Sequence, residues 1–196
     1  MNYYVVETDK HKLIQKTAGV KARQDVETIF KWNNLKKIEI PCLIEGRENK
    51  TRLGKIKAHY DVYMLWKNAL KKIKKNDWIY IQFPLLEHTM LFSLLIKNLE
   101  KRGIHTSIII HDVEAIRFTL RNDVPLSRKI RMRFEEISSF KNCSKIIVHN
   151  EKMKSFMHEK WKIHKDKMDI LGIFDYLVEN YNEELLEKRN LSRKGP

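Results

Sequence analysis

Four stretches of this chain are apolar, β-branched or aromatic with almost no polar alternation: Tyr3-Tyr4-Val5-Val6, Trp78-Ile79-Tyr80-Ile81-Gln82-Phe83, Ser107-Ile108-Ile109-Ile110 and Lys145-Ile146-Ile147-Val148. Strands read this way when both faces of a parallel sheet are covered, because neither face meets water. Lys37-Ile38-Glu39-Ile40 before Pro41 and Asp169-Ile170-Leu171 before Gly172 bring the number of strands to about six. Apolar residues at helical spacing lie between them. Val26, Ile29 and Phe30 predict a helix over about residues 22–32, and Ile56, Tyr60, Tyr63, Met64, Leu70 and Ile73 predict one over about 53–73. Leu91, Phe92, Leu94, Leu95, Ile96 and Leu99, on more than one face, predict a largely buried helix over about 86–101, ended by Arg102-Gly103. Ile130, Phe134, Ile137 and Phe140 mark the inward face of another, with Arg128, Lys129, Arg131 and Arg133 on its outward face, and residues 151–161 form one more.

Strand and helix alternate about six times, with crossovers long enough to require parallel pairing. The expected fold is therefore α/β: a Rossmann-like doubly wound sheet of about six mostly parallel strands with helices on both faces. Residues 1–177 are expected to form one domain, with 178–196 a basic, polar tail or the start of an interdomain linker.

A length of 196 residues, 42% of them hydrophobic, suits one domain with a full core. Charge adds more. With 39 Lys and Arg against 25 Asp and Glu, the formal net charge is +14, which implies an anionic partner without choosing among nucleic acid, phospholipid and phosphorylated substrate. Cys42 and Cys143 are the only cysteines and have no zinc-site spacing, so both are expected to be reduced core residues and no metal is expected. The start of the chain has no signal-peptide pattern, and the most hydrophobic stretch, residues 90–96, is far short of a spanning helix. A cytoplasmic location is expected, with peripheral attachment at the inner face of the membrane through its anionic lipids, by way of Lys71, Lys72, Lys74 and Lys75 or Arg128, Lys129, Arg131 and Arg133.

The candidate chemistry lies at the strand ends. His111, Asp112 and Glu114 follow a buried run directly, which places them on the carboxyl edge where open α/β sheets bind ligands. Titratable groups there suit a general base that takes a proton from a hydroxyl; equally, Asp112 or Glu114 could cap the next helix and His111 bind the backbone. Arg117 either pairs with Glu114 or binds phosphate. His149-Asn150 repeats the pattern of an apolar run followed by a polar edge. Gly19 is read as a turn glycine before a helix, with Lys21 and Arg23 able to meet phosphate or simply to face solvent. No GxGxxG or Walker lysine motif is present, so a dinucleotide or P-loop site is not supported.

Five blocks in order extend this reading: residues 18–27 (AGVKARQDVE), 81–85 (IQFPL), 110–117 (IHDVEAIR), 147–153 (IVHNEKM) and 171–177 (LGIFDYL). Together they resemble the amino-terminal half of bacterial galactofuranosyltransferase-like and glucosyltransferase proteins of the GT-B fold. The resemblance implies the acceptor-side domain of an enzyme that moves a hexosyl group from a UDP-sugar to a glycan, glycolipid or glycoprotein hydroxyl, with no cofactor beyond the donor substrate. It implies that Gly19 approaches the donor, that Gln82, His111, Asp112 and Glu114 line the acceptor side, and that Asp175 and Tyr176 lie near the crossing between domains. The donor-binding carboxyl-terminal domain would then be a partner, in a longer chain or a separate one, and this half would be inactive without it. A homo-oligomer is a further expected form. Two other readings stand beside it: a non-catalytic partner subunit of a transferase, and a basic nucleic-acid-binding α/β module. No nucleic-acid motif is present, and nucleic acid is not the expected partner.

Overall fold

A computed structural model of the chain describes residues 1–8, 18–43, 51–118, 123–172 and 177. Six strands form one sheet: β1 (Asn2–Thr8), β2 (Lys36–Pro41), β3 (Trp78–Phe83), β4 (His105–Ile110), β5 (Lys145–Val148) and β6 (Met168–Ile170). Their order is β2-β1-β3-β4-β5-β6, and every pairing is parallel. The chain leaves β1 to one side for β2 and returns to the other for β3. That reversal makes the gap between the carboxyl ends of β1 and β3 the switch point of the sheet, where such folds open a crevice.

Seven α-helices are described: α1 (Ala18–Trp32), α2 (Arg52–Ala69), α3 (Phe92–Lys101), α4 (Glu114–Arg117), α5 (Leu126–Met132), α6 (Ser138–Asn142) and α7 (Glu151–Trp161). Strand residues alternate between faces, and the packing follows that alternation. Tyr4 and Tyr80 point to the face covered by α1, where Phe30 lies 5.2 and 5.3 Å from their rings. Ile79, Ile81 and Phe83 point to the opposite face, where Trp66 of α2 meets Phe92 of α3 edge to face at 5.3 Å and Phe83 meets Phe140 of α6 at 5.1 Å. Trp161 of α7 stacks on Phe140 in the same layer. The expected doubly wound architecture is thus present, with α1 on one face and α2, α3, α6 and α7 on the other.

Element limits differ from the sequence expectation in instructive ways. The first helix begins at Ala18, so Gly19 lies in its first turn, where an added Cβ would meet open space. The helix expected from residue 86 begins only at Phe92, because backbone N–H groups of residues 86–91 are drawn elsewhere: those of Leu86 and Glu87 donate to the Glu7 carboxylate, and that of Leu91 donates to Thr89 Oγ1. Gly103 ends α3 as expected; its φ of 73° suits glycine, and a Cβ there would come within 2.8 Å of Lys75. Cys143 is buried, its thiol pushed up to about 12 by burial, whereas Cys42 is only half-buried.

The segment after β4 keeps part of its expected orientation, with Phe140 buried and Arg128, Lys129 and Arg133 exposed, and departs from it at Ile130, Phe134 and Arg131. Between α5 and α6 the chain takes a π turn (Arg133–Ile137), and the buried positions are Met132, Glu135, Glu136, Ser139 and Phe140. Ile130 and Phe134 face outward, and Arg131 faces inward. The apolar spacing was legible, but the outward side of Ile130 and Phe134 was not: the interior here takes two glutamates because both find partners. Residues 173–176, which include Asp175 and Tyr176, and the proposed tail at 178–196 lie outside the described residues.

Candidate functional site

Register brings three polar residues from three strands into one row. Gln82 of β3 pairs with Ile109 of β4, which pairs with Ile147 of β5. Two residues further along β4 and β5 come His111 and His149, on the same face and just past the carboxyl edge. Gln82 is buried. Its Oε1 lies 2.7 Å from His111 Nε2, and its amide nitrogen donates to the Arg23 carbonyl at 3.4 Å. A carbonyl only accepts, so the amide nitrogen faces Arg23 and the amide oxygen faces His111. His111 Nε2 therefore carries the hydrogen, and Nδ1 keeps its lone pair. His149 Nε2 in turn lies 3.3 Å from the His111 carbonyl. Burial, then the charges of Arg23 and His149, lower His111 to about 4. The imidazole is neutral throughout the physiological range, a fixed tautomer with its acceptor atom uncommitted among the described residues.

Next to this row, at the switch point, stands a group that local sequence reasoning passed over. Glu7, near the end of β1, accepts from the backbone N–H groups of Leu86 at 2.8 Å and Glu87 at 3.2 Å. Burial raises its carboxyl to about 7, against those two hydrogen bonds and the Arg23 charge. Arg23 of α1 donates to the Pro84 carbonyl, and burial holds its guanidinium below the ordinary value. Solvent exposure was one expectation for Arg23; the structure instead tucks it between β1 and β3. The signal for Glu7 was the one that singled out His111, a charged residue closing an apolar run.

The loop after β4 is held by arginines. Glu114 pairs with Arg128 at 2.8 Å and with Arg131. Burial opposes its ionisation, but the Arg128 hydrogen bond and the charges of both arginines hold its carboxyl below the usual range. Arg131 also reaches Glu135 at 3.5 Å, and Glu135 meets His88. Glu136 accepts from the Ala115 N–H at 2.8 Å, in the first turn of α4; burial raises it to about 7, with Glu114 and Glu135 adding to the shift. Arg117 does not pair with Glu114, as expected from spacing, but with Asp112, whose carboxylate also accepts from Val113 N–H at 2.8 Å. Neither carboxylate caps α4: Val113 is its N-cap, without a side-chain bond.

The other candidates have local partners. Lys21 pairs at 2.6 Å with buried Asp25, which also accepts from the Leu177 N–H at 3.1 Å. Asn150 caps α7, its Oδ1 accepting from Met153 N–H at 2.9 Å. Among the described residues no three His, Cys, Asp or Glu side chains are grouped to hold a metal ion, and no helix is long and apolar enough to cross a membrane.

An open, all-parallel sheet with helices on both faces and polar groups gathered at the carboxyl ends of β1, β3, β4 and β5 defines a Rossmann-like α/β domain. Within that class the assignment is specific: residues 2–173 match the glucosyltransferase 3-like N-terminal domain, and the chain belongs to that family. It is a glycosyltransferase-like amino-terminal domain. A comparison with curated proteins finds no match.

Proposed function

We propose that the chain is the acceptor-binding amino-terminal half of a GT-B glycosyltransferase, of galactofuranosyltransferase- or glucosyltransferase-like type, that moves a hexosyl group from a UDP-sugar to a hydroxyl of a glycan, glycolipid or glycoprotein. The donor-binding carboxyl-terminal half, in the same polypeptide or a partner, supplies the grip on the nucleotide. The observation that carries this reading is His111, neutral, half-buried and set at the ligand edge with its Nδ1 lone pair available. In the transfer, the acceptor hydroxyl gives its proton to Nδ1 as its oxygen bonds to the sugar's anomeric carbon. The bond from that carbon to the diphosphate breaks, and UDP leaves with the electron pair. A positioned side-chain base contributes about 10²–10⁴-fold, and one held at about 4 acts towards the low end of that range because its basicity lies below the operating pH. Asp112 and Glu114, tied to arginines, hold the loop that carries His111; Glu7 and Arg23 shape the neighbouring crevice.

The test is transfer from a panel of UDP-sugars by the chain alone and by the chain joined to a donor-binding domain. Activity is expected only in the joined form, and His111→Ala in that form should lower kcat by about 10²-fold. An unchanged kcat removes His111 as the base. Absence of transfer by the joined form with every donor and acceptor class removes the reading itself.

A further inference from the structure

The helical segment that follows β4 buries Glu135 and Glu136 and leaves three large apolar residues outward, beside exposed basic ones. Leu126, Ile130 and Phe134 are 72%, 42% and 49% exposed and stand four residues apart, one ridge along a helix. Lys129 and Arg133 are exposed beside it. Arg128 and Arg131 are not part of this surface, since both are held by Glu114 and Arg128 also lies 4.4 Å from the Phe118 ring. The first turns of α2 repeat the arrangement: Leu53, Ile56 and Tyr60 are exposed, with Lys55 and Lys57 between them. α2 follows β2 and α5 follows β4, so both helices start from the carboxyl side of the sheet, and both belong to the same layer. Lys71, Lys72, Lys74 and Lys75, by contrast, precede β3 and lie at the opposite edge.

Charge decides among occupants. A second copy would set Lys129 and Arg133 against basic surface in a chain of net charge +14. A nucleic acid would answer the basic residues and leave Leu126, Ile130 and Phe134 in water. A phospholipid surface offers anionic headgroups at one depth and acyl chains just beneath, the two environments these helices present together. We propose that the rim formed by α5 and the start of α2 docks onto an anionic phospholipid membrane. The proposal stands on the exposed ridges and is independent of the glycosyltransferase reading.

The test is flotation with phosphatidylglycerol–phosphatidylcholine vesicles against phosphatidylcholine alone. The chain should bind the anionic vesicles and not the neutral ones. Lys129→Ala with Arg133→Ala should weaken binding roughly twenty-five-fold, about fivefold for each charge, and Ile130→Ser with Phe134→Ser should abolish it where circular dichroism shows an intact fold. Hydrogen exchange of the unaltered chain with vesicles should show protection confined to α2 and residues 126–137. Failure of the unaltered chain to bind anionic vesicles overturns the proposal. So does binding that both double variants retain in full, protection centred on α1, or sedimentation as a dimer that Phe134→Ser dissociates.

Discussion

Nε2 of His111 stands 2.7 Å from Oε1 of Gln82, a contact from the end of β4 to buried β3 that determines which ring nitrogen carries the hydrogen. Gln82→Leu leaves that N–H without its acceptor and should destabilise the fold by about 1–3 kcal/mol in urea titration. Gln82→Glu places a carboxylate beside the ring, so the His111 NMR titration should move upward from about 4. No movement would show that the two side chains do not meet in solution.

The lowered His111 value has a signed consequence for stability. Its folded value of about 4 lies below the ordinary 6.5, so the unfolded chain takes up the proton first as pH falls. Its contribution is full above pH 6.5 and is lost as pH drops towards 4. Denaturation midpoints measured across that window should fall with acid in the unaltered chain, and less so in His111→Gln.

Glu136 acts with the opposite sign. Its folded value of about 7 exceeds the ordinary 4.5, so its contribution is full below pH 4.5 and is lost as pH rises through 7. Glu136→Gln keeps an acceptor for Ala115 N–H and does not titrate. Relative to the unaltered chain, this variant should gain stability between pH 4.5 and 7, by at most about 3 kcal/mol, as read from denaturant midpoints. A parallel pair of profiles would show that Glu136 ionises normally. Glu7 contributes in the same direction over the same window, so the separate terms emerge only from single substitutions.

Asn150 caps α7 through Met153 N–H. Asn150→Ala should cost about 1 kcal/mol in thermal or urea unfolding, while Asn150→Asp, which keeps the acceptor, should cost much less. Equal losses in the two variants would mean that the cap contributes nothing.

The layered sheet was legible because β3, β4 and β5 are apolar on both faces, a pattern set by local composition. What was not legible depended on partners far along the chain. Glu7 reaches Leu86 and Glu87, and in doing so removes the first six residues of an expected helix. Glu135 and Glu136 are buried because His88, Arg131 and Ala115 N–H meet them, so an apolar count that placed Phe140 correctly put Ile130 and Phe134 inward where they face out. His111 was legible as a strand-end residue, but its tautomer depends on Gln82 and Arg23, which only the register brings near.

Parallel pairing throughout the sheet also governs how the chain can fold. None of the six described strands closes on its neighbour through a tight turn; Tyr3 waits for Lys36, and Asn2 waits for Trp78 before the second edge of β1 is covered. During synthesis the first strand is therefore exposed on that edge until β3 has emerged, and folding is governed by distant closures rather than by local ones. Conditions that slow translation early in the chain would prolong that open interval, while slowing it after β3 would not.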